Sequence, residues 1–201
     1  MEKIDHTALA GRILFVAAVD GEADHVKGDV PLLITGIGTV PAAMKLTEIL
    51  AKAEATGGLP ERVVNFGTAG ALRDGLAGVF EVAAVRKHDF FLADHSGISQ
   101  YLLPEVIEVP TSGKLPEGTL ATGDQFVGDT ATRNRLAADS SLCDMEGYAI
   151  AAVCQHFGVP VTLLKQVSDS ADESAEEAWA DAVPAGARQL RTALDELGYL
   201  G

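Results

Sequence analysis

Apolar and polar positions along this chain alternate between short β-rich runs and longer stretches with helical periodicity. Arg12 to Val19 is rich in Ile, Leu, Phe and Val and ends at the acidic turn Asp20-Gly21-Glu22, which reads as a first strand. Val30 to Thr35 reads as a second strand, followed by Gly36-Ile37-Gly38 and a helix from about Val40 to Ala55. Glu61 to Asn65 is a third strand running into Gly67-Thr68-Ala69-Gly70, and Val79 to Arg86 a fourth; Val106 to Val109 and Thr119 to Thr122 are shorter. Helices are expected at Thr130 to Ala138, Gly147 to Phe157 and Ala175 to Leu197. The helix from Gly147 is the clearest of these. Ala149, Ile150, Val153, Cys154 and Phe157 repeat at the spacing of one buried face, and Gly158 and Pro160 stop it. Val161 to Val167 then forms a short buried strand ending in Ser168 and Asp169.

Strands alternating with helices predict an α/β sandwich with a largely parallel sheet. In such sheets ligands bind at the carboxyl ends of strands, where Ser168 and Asp169 fall. Asp89 to Gly118 breaks the rhythm and reads as a long functional loop or oligomer contact. The acidic Ala/Glu/Asp stretch from Asp169 to Asp181 reads as a solvated helix start.

The 201 residues suit one domain, 1–201, with one sizeable core. A formal net charge of −14 argues against nucleic-acid or anionic-membrane partners, which need a basic surface. Cys143 and Cys154 lack metal-site spacing and read as reduced, buried thiols. The N-terminal run has no convincing signal-peptide pattern, and no apolar stretch approaches the roughly 20 residues of a membrane span, so a cytoplasmic protein is expected.

Several segments carry candidate chemistry, each with a plainer reading beside it. Thr35 to Ala43 places a glycine pair between strand and helix, where backbone N–H groups can approach an anion or a ribose, or simply make a tight turn. Asn65 to Leu72 offers small residues for a flat ring to pack on and the Thr68 hydroxyl, or a turn with close helix packing. Phe126 in Thr122 to Asp129 can stack on a purine or fill a core. Glu22 reads alone as a solvated turn acid, Met145 as core filler, Glu146 as a first-turn acid and Asp169 as a helix cap. His88 and His95 read as ordinary loop histidines, and no metal site is indicated.

Taken together and in order, AAVDGEAD, TGIGTVPAA, NFGTAGAL, TGDQFVGD and DMEGYAIAAVCQHFGVPVTLLKQVSDSAD resemble the nucleoside phosphorylase superfamily, most closely its 5'-methylthioadenosine/S-adenosylhomocysteine nucleosidase branch. The blocks cover most of the chain from Arg12 to the last helix. The resemblance implies a three-layer αβα sandwich with a central mixed sheet, cleavage of the N-glycosidic bond between ribose and purine, and no cofactor. It implies a general-acid role near purine N7 for Asp169, and for Glu22 the carboxylate that orients and deprotonates the attacking water. Glu146 and Met145 match ribose contacts; Phe126 and the Val127 backbone match the purine wall; Ala69 and Gly70 match the base-pocket backbone. Thr68 and Lys165 fall where nucleosidases usually carry Ser and Arg near the water, and Asp144 and Ser168 complete the substrate-binding set. The substrates implied are a purine nucleoside and water, and a homodimer is suggested. Phosphorylases of the superfamily carry arginines where this chain reads Asp20-Gly21-Glu22 and Asn65-Phe66-Gly67, residues that cannot neutralise a phosphate dianion. Hydrolysis is therefore expected, with futalosine hydrolase, a phosphorylase, or a catalytically silent nucleoside-binding protein as alternatives.

Overall fold

Residues 5, 8–26, 28, 30–90, 92 and 99–200 are described by a computed structural model. The order is β1 (Ile13–Ala17), a 3₁₀ turn (Asp20–Ala23), β2 (Leu32–Ile34), α1 (Thr39–Ala55), β3 (Arg62–Ala71) and β4 (Val79–Lys87). A second 3₁₀ turn (Ser99–Tyr101), β5 (Val106–Glu108), β6 (Glu117–Thr122), α2 (Thr130–Leu136) and β7 (Leu142–Asp144) follow. The chain continues through α3 (Gly147–Phe157), β8 (Val161–Asp169) and α4 (Ala175–Glu196).

Alternation along the strands explains how both faces of the sheet are covered. Leu14, Val16, Val63 and Leu163 point to the side packed by Leu46 and Leu50 of α1 and Ile150 and Cys154 of α3. Their neighbours Phe15, Ala17, Val64, Phe66 and Leu164 point to the other side, where Leu190 and Leu194 of α4 lie. Burial on both faces is what the near-continuous apolar runs of β1, β3 and β8 encode. The helix ends follow local chemistry: Asp129 caps α2 by accepting from Thr132 N at 2.8 Å, and Gly158 ends α3 in the left-handed conformation.

The sheet is mixed. β2, β1, β3 and β8 run parallel, as do β4, β6 and β7, whereas β3–β7, β4–β5 and β4–β8 are antiparallel. The expectation of a largely parallel sheet thus holds within two blocks and fails where they join and at the edge strand β5. Because β3 pairs with β8 and then, past a register shift between Ala69 and Gly70, with β7, the strands β3, β8, β4, β6 and β7 close into a ring. Two strand ends run further than expected: β3 continues through the glycines to Ala71 and β8 to Asp169. β7 was not anticipated, its three residues being too short to show a period. The Asp89 to Gly118 segment contributes β5 and the start of β6 to the sheet and is not loop throughout; Phe91 and residues 93–98, including His95, lie outside the described residues. Among the described residues no helix is long and apolar enough to cross a membrane.

Candidate active site

The carboxyl ends of β1, β3, β6, β7 and β8 converge on one cleft of about 420 Å³. It is lined by Glu22, Thr68, Ala69, Gly70, Phe126, Val127, Asp144, Met145, Glu146, Ser168 and Asp169, so eleven of the twelve residues singled out from sequence meet there. The twelfth, Lys165, lies beneath the floor, where its ammonium pairs with Asp144 at 2.9 Å. Among the described residues, none that lines it is Lys or Arg.

β1 and β8 flank β3, so Glu22 and Asp169 approach that strand from its two sides. Both pass close to a glycine. A Cβ at Gly67 would lie 2.9 Å from a Glu22 oxygen, and one at Gly70 would lie 3.0 Å from Asp169 Oδ1. Two of the small residues read as a ring-packing surface or a turn, Gly67 and Gly70, are therefore strand positions beside the two carboxylates, and a Cβ at Gly70 would also lie 3.0 Å from Cys143 Sγ and Ala171 Cβ.

Glu22 is buried, not a solvated turn acid. Its Oε1 accepts from Thr68 N at 2.7 Å and Thr68 Oγ1 at 2.8 Å, while Oε2 accepts longer bonds from Ala18 N (3.1 Å) and Val19 N (3.4 Å). Asp169 is half-buried. Its Oδ2 accepts from Ser168 Oγ at 2.7 Å and its Oδ1 from Ala171 N at 2.8 Å, with Ala171 held at φ 51°. It does not cap α4, whose N-cap is Ser174.

Asp144 and Glu146 leave β7 into the start of α3. Asp144 faces the cleft, yet both its oxygens bond inward: Oδ1 to Thr122 Oγ1 at 2.5 Å, Oδ2 to Gly147 N and Lys165 Nζ, each at 2.9 Å. Glu146 Oε1 accepts from Gly38 N at 2.7 Å, and Asp124 accepts from Thr39 N and Oγ1. The N–H groups at the start of α1, read as an approach for an anion or ribose, are thus already bonded to acids of this chain. Burial and the neighbouring Asp144 raise the Glu146 carboxyl to about 7, against the pull of Lys165 and the Gly38 N–H. Burial alone would lower the Lys165 ammonium, but Asp144 and Glu146 beside it hold it above its ordinary value.

Sequence reasoning missed part of the wall. Ile37, Gln125, Glu176 and Trp179 also line the cleft, so the stretch read as a solvated helix start contributes two side chains to it. A signal was available: Ala175, Trp179, Gly186, Leu190 and Leu194 share the inward stripe of α4, and Trp179 is the chain's single tryptophan. Trp179 Nε1 donates to Thr68 Oγ1 at 2.9 Å. Cys143 lines the cleft as a neutral thiol, since burial pushes it up to about 12. His88 is outside the lining and is no surface-loop residue: it is buried against Gly123, its ring nitrogens lack a hydrogen-bond partner among the described residues, and burial lowers its pKa.

Known proteins resemble this chain over most of its length. The 5'-methylthioadenosine/S-adenosylhomocysteine nucleosidase of Shewanella frigidimarina is 30% identical over 193 residues, spanning 83% of this chain and 77% of that protein. The aminodeoxyfutalosine nucleosidase of Helicobacter pylori strain J99 is 39% identical over 89 residues, 41% of this chain and 39% of the relative. Among solved structures, the Neisseria meningitidis 5'-methylthioadenosine/S-adenosylhomocysteine nucleosidase in complex with methylthio-immucillin-A shares the fold, with a TM-score of 0.79 at 21% identity, covering 94% of this chain and 98% of that one. A family model described as the phosphorylase superfamily matches residues 21–197, and the chain belongs to that superfamily.

Proposed function

We propose that this protein is a purine-nucleoside N-ribosylhydrolase that releases the base from a 5'-modified nucleoside such as 5'-methylthioadenosine or S-adenosylhomocysteine. The observation that carries this reading is the placing of Glu22 and Asp169 against two glycines of one strand, in a cleft whose lining holds no Lys or Arg among the described residues. Two residues, Thr68 and Ala69, separate the glycines, so the two carboxylates meet the strand at points roughly 10 Å apart along it, spacing that suits a sugar and a water between them. A phosphate dianion would meet an acidic lining; water meets no such penalty.

As the N-glycosidic bond lengthens, positive charge grows on the ribose and negative charge on the purine. Asp169 delivers a proton to N7, so the base departs neutral. Glu22 takes a proton from the water whose oxygen bonds to C1'. Oε2 is the oxygen suited to that task, because Oε1 already receives two short bonds from Thr68. Glu146 accepts the ribose hydroxyls, and Asp144, turned inward, holds Lys165 and the start of α3 beneath it. Phe126 and Val127 wall the purine, with Ala69 and Gly70 behind it.

The local identity to an aminodeoxyfutalosine nucleosidase supports a second reading, in which the 5'-group is that of a futalosine-type nucleoside. A homodimer belongs to the proposal; the exposed apolar side chains Ile37, Val40, Met44 and Phe90 support it. So does a cytoplasmic location, with which the free, buried Cys143 and Cys154 agree.

The test incubates the protein with methylthioadenosine, adenosylhomocysteine and futalosine, with and without phosphate, and identifies the released base. Adenine release without phosphate is expected. Hypoxanthine from futalosine alone selects the second reading, and release that requires phosphate overturns hydrolysis.

A further inference from the structure

We infer that Trp179 is a positioning residue for Glu22, acting through the Thr68 hydroxyl as the outermost donor of a three-member hydrogen-bond relay.

The geometry fixes direction at each link. The indole Nε1–H can only donate, and it donates to Thr68 Oγ1 at 2.9 Å. With that lone pair engaged, the single hydroxyl proton of Thr68 points to Glu22 Oε1, 2.8 Å away. Oε1 is thereby held by the Thr68 hydroxyl together with the Thr68 N–H, and Oε2 is left with its two longer bonds facing the reaction. Without the indole donor, the Thr68 hydroxyl is free to turn its proton to water, and Oε1 loses a directed partner. Chains of this kind polarise one another, so each bond strengthens the next.

The relay also ties α4 to the catalytic turn. Val183 of the same helix packs so closely on Gly21 that a Cβ there would lie 3.0 Å from its Cγ1, and Trp179 stands one turn earlier. Trp179 therefore has two separable parts: a ring that walls the cleft and an N–H that orders Glu22.

Two measurements test this, only one of which rests on the hydrolase reading. In ¹⁵N-labelled protein the single indole gives one N–H resonance. Glu22→Gln is expected to shift it in the Thr68 protein and to leave it unmoved in Thr68→Val, whereas Thr68→Ser, which keeps the hydroxyl, restores the response. An equal shift from Glu22→Gln with and without the hydroxyl overturns the relay, whether or not the protein turns over any nucleoside. If Thr68→Val does not fold, the same comparison is made in Thr68→Ala. In the hydrolysis assay Trp179→Phe keeps the ring and removes the donor, so kcat should fall about two- to tenfold with KM little changed. A rise in KM with kcat intact would reduce Trp179 to a wall. Absence of base release by the wild-type protein counts against the hydrolase reading and leaves the resonance experiment to decide the relay.

Discussion

On the floor of the cleft Glu22, Asp144, Glu146 and Lys165 are 2–8% exposed, and each is fixed by named partners; on the rim Ile37 and Phe126 are 51% and 44% exposed. The floor keeps three acids and one ammonium out of water by bonding them to backbone N–H groups, hydroxyls and one another. Such an arrangement fixes where charge sits before a substrate arrives, which is the condition for stabilising charge that develops in a transition state. The rim offers apolar area with little to lock it, suited to holding a base and a variable 5'-group. On the proposed reading, one region would govern the bond broken and the other how well the substrate is held.

The largest effect that could break this division is at Asp169. Asp169→Asn keeps the shape and hydrogen-bonding reach of the side chain but cannot deliver its proton, and should lower kcat by about 10² to 10⁴-fold. Nucleoside binding, followed by equilibrium titration, should survive. Unchanged turnover would remove Asp169 from the chemistry and leave the cleft without its proposed acid.

Lys165→Met tests the floor as structure. Removing the ammonium leaves Asp144 without its ion-pair partner among Glu22 and Glu146, a change that typically costs about 3–5 kcal/mol. The loss should shrink on acidification, since protonating Glu146, whose carboxyl is raised to about 7, removes one of the buried negative charges. Urea denaturation at pH 5.5 and pH 8 would show it; equal stability to wild type at pH 8 would mean that the pair contributes little.

A smaller effect is expected from Glu146→Gln, and its sign depends on pH. The Glu146 carboxyl is raised from its ordinary 4.5 to about 7 in the folded protein. Its contribution to stability is fully present below 4.5 and is lost as pH rises through about 7, because folding then buries a charge. Glutamine does not titrate, and its amide oxygen can still accept from Gly38. The melting temperature of the variant should therefore rise relative to wild type between pH 5 and pH 8, and a constant difference would contradict the shift.

The floor was legible in the sequence and much of the rim was not, for a physical reason. Glu22 and Asp169 sit just beyond or at strand ends, where a short apolar run stops and polar residues begin, so a strand prediction places each near the sheet's carboxyl edge, and Thr68 follows the end expected for β3; Glu146 follows β7, which shows no period, and is placed by the resemblance alone. Lys165 defied that logic by sitting within a strand and below the cleft, its charge tolerated by acids contributed from other elements. Trp179 and Ile37 reach the cleft from a helix face and a turn whose positions depend on how α4 and α1 dock. That docking is tertiary information. The ring of strands was hidden similarly, because β7 spans only Leu142–Asp144 and the antiparallel joins depend on pairings distant in sequence.

The smallest predicted effect is also the sharpest test of the rim. Phe126 stands in the turn after β6, 44% exposed, while Val127 beside it is buried. Its ring is not needed to fill the core, so Phe126→Ala should leave the fold intact. Aromatic stacking contributes about 0.5–1.5 kcal/mol beyond burial, which corresponds to a KM raised by roughly two- to tenfold. If the base stacks equally in ground and transition states, kcat stays within about twofold of wild type and the whole loss appears in KM. A matched fall in kcat would instead mean that Phe126 acts on the departing purine, as is proposed for Asp169. The boundary between holding and reacting would then lie inside the purine pocket and not between floor and rim.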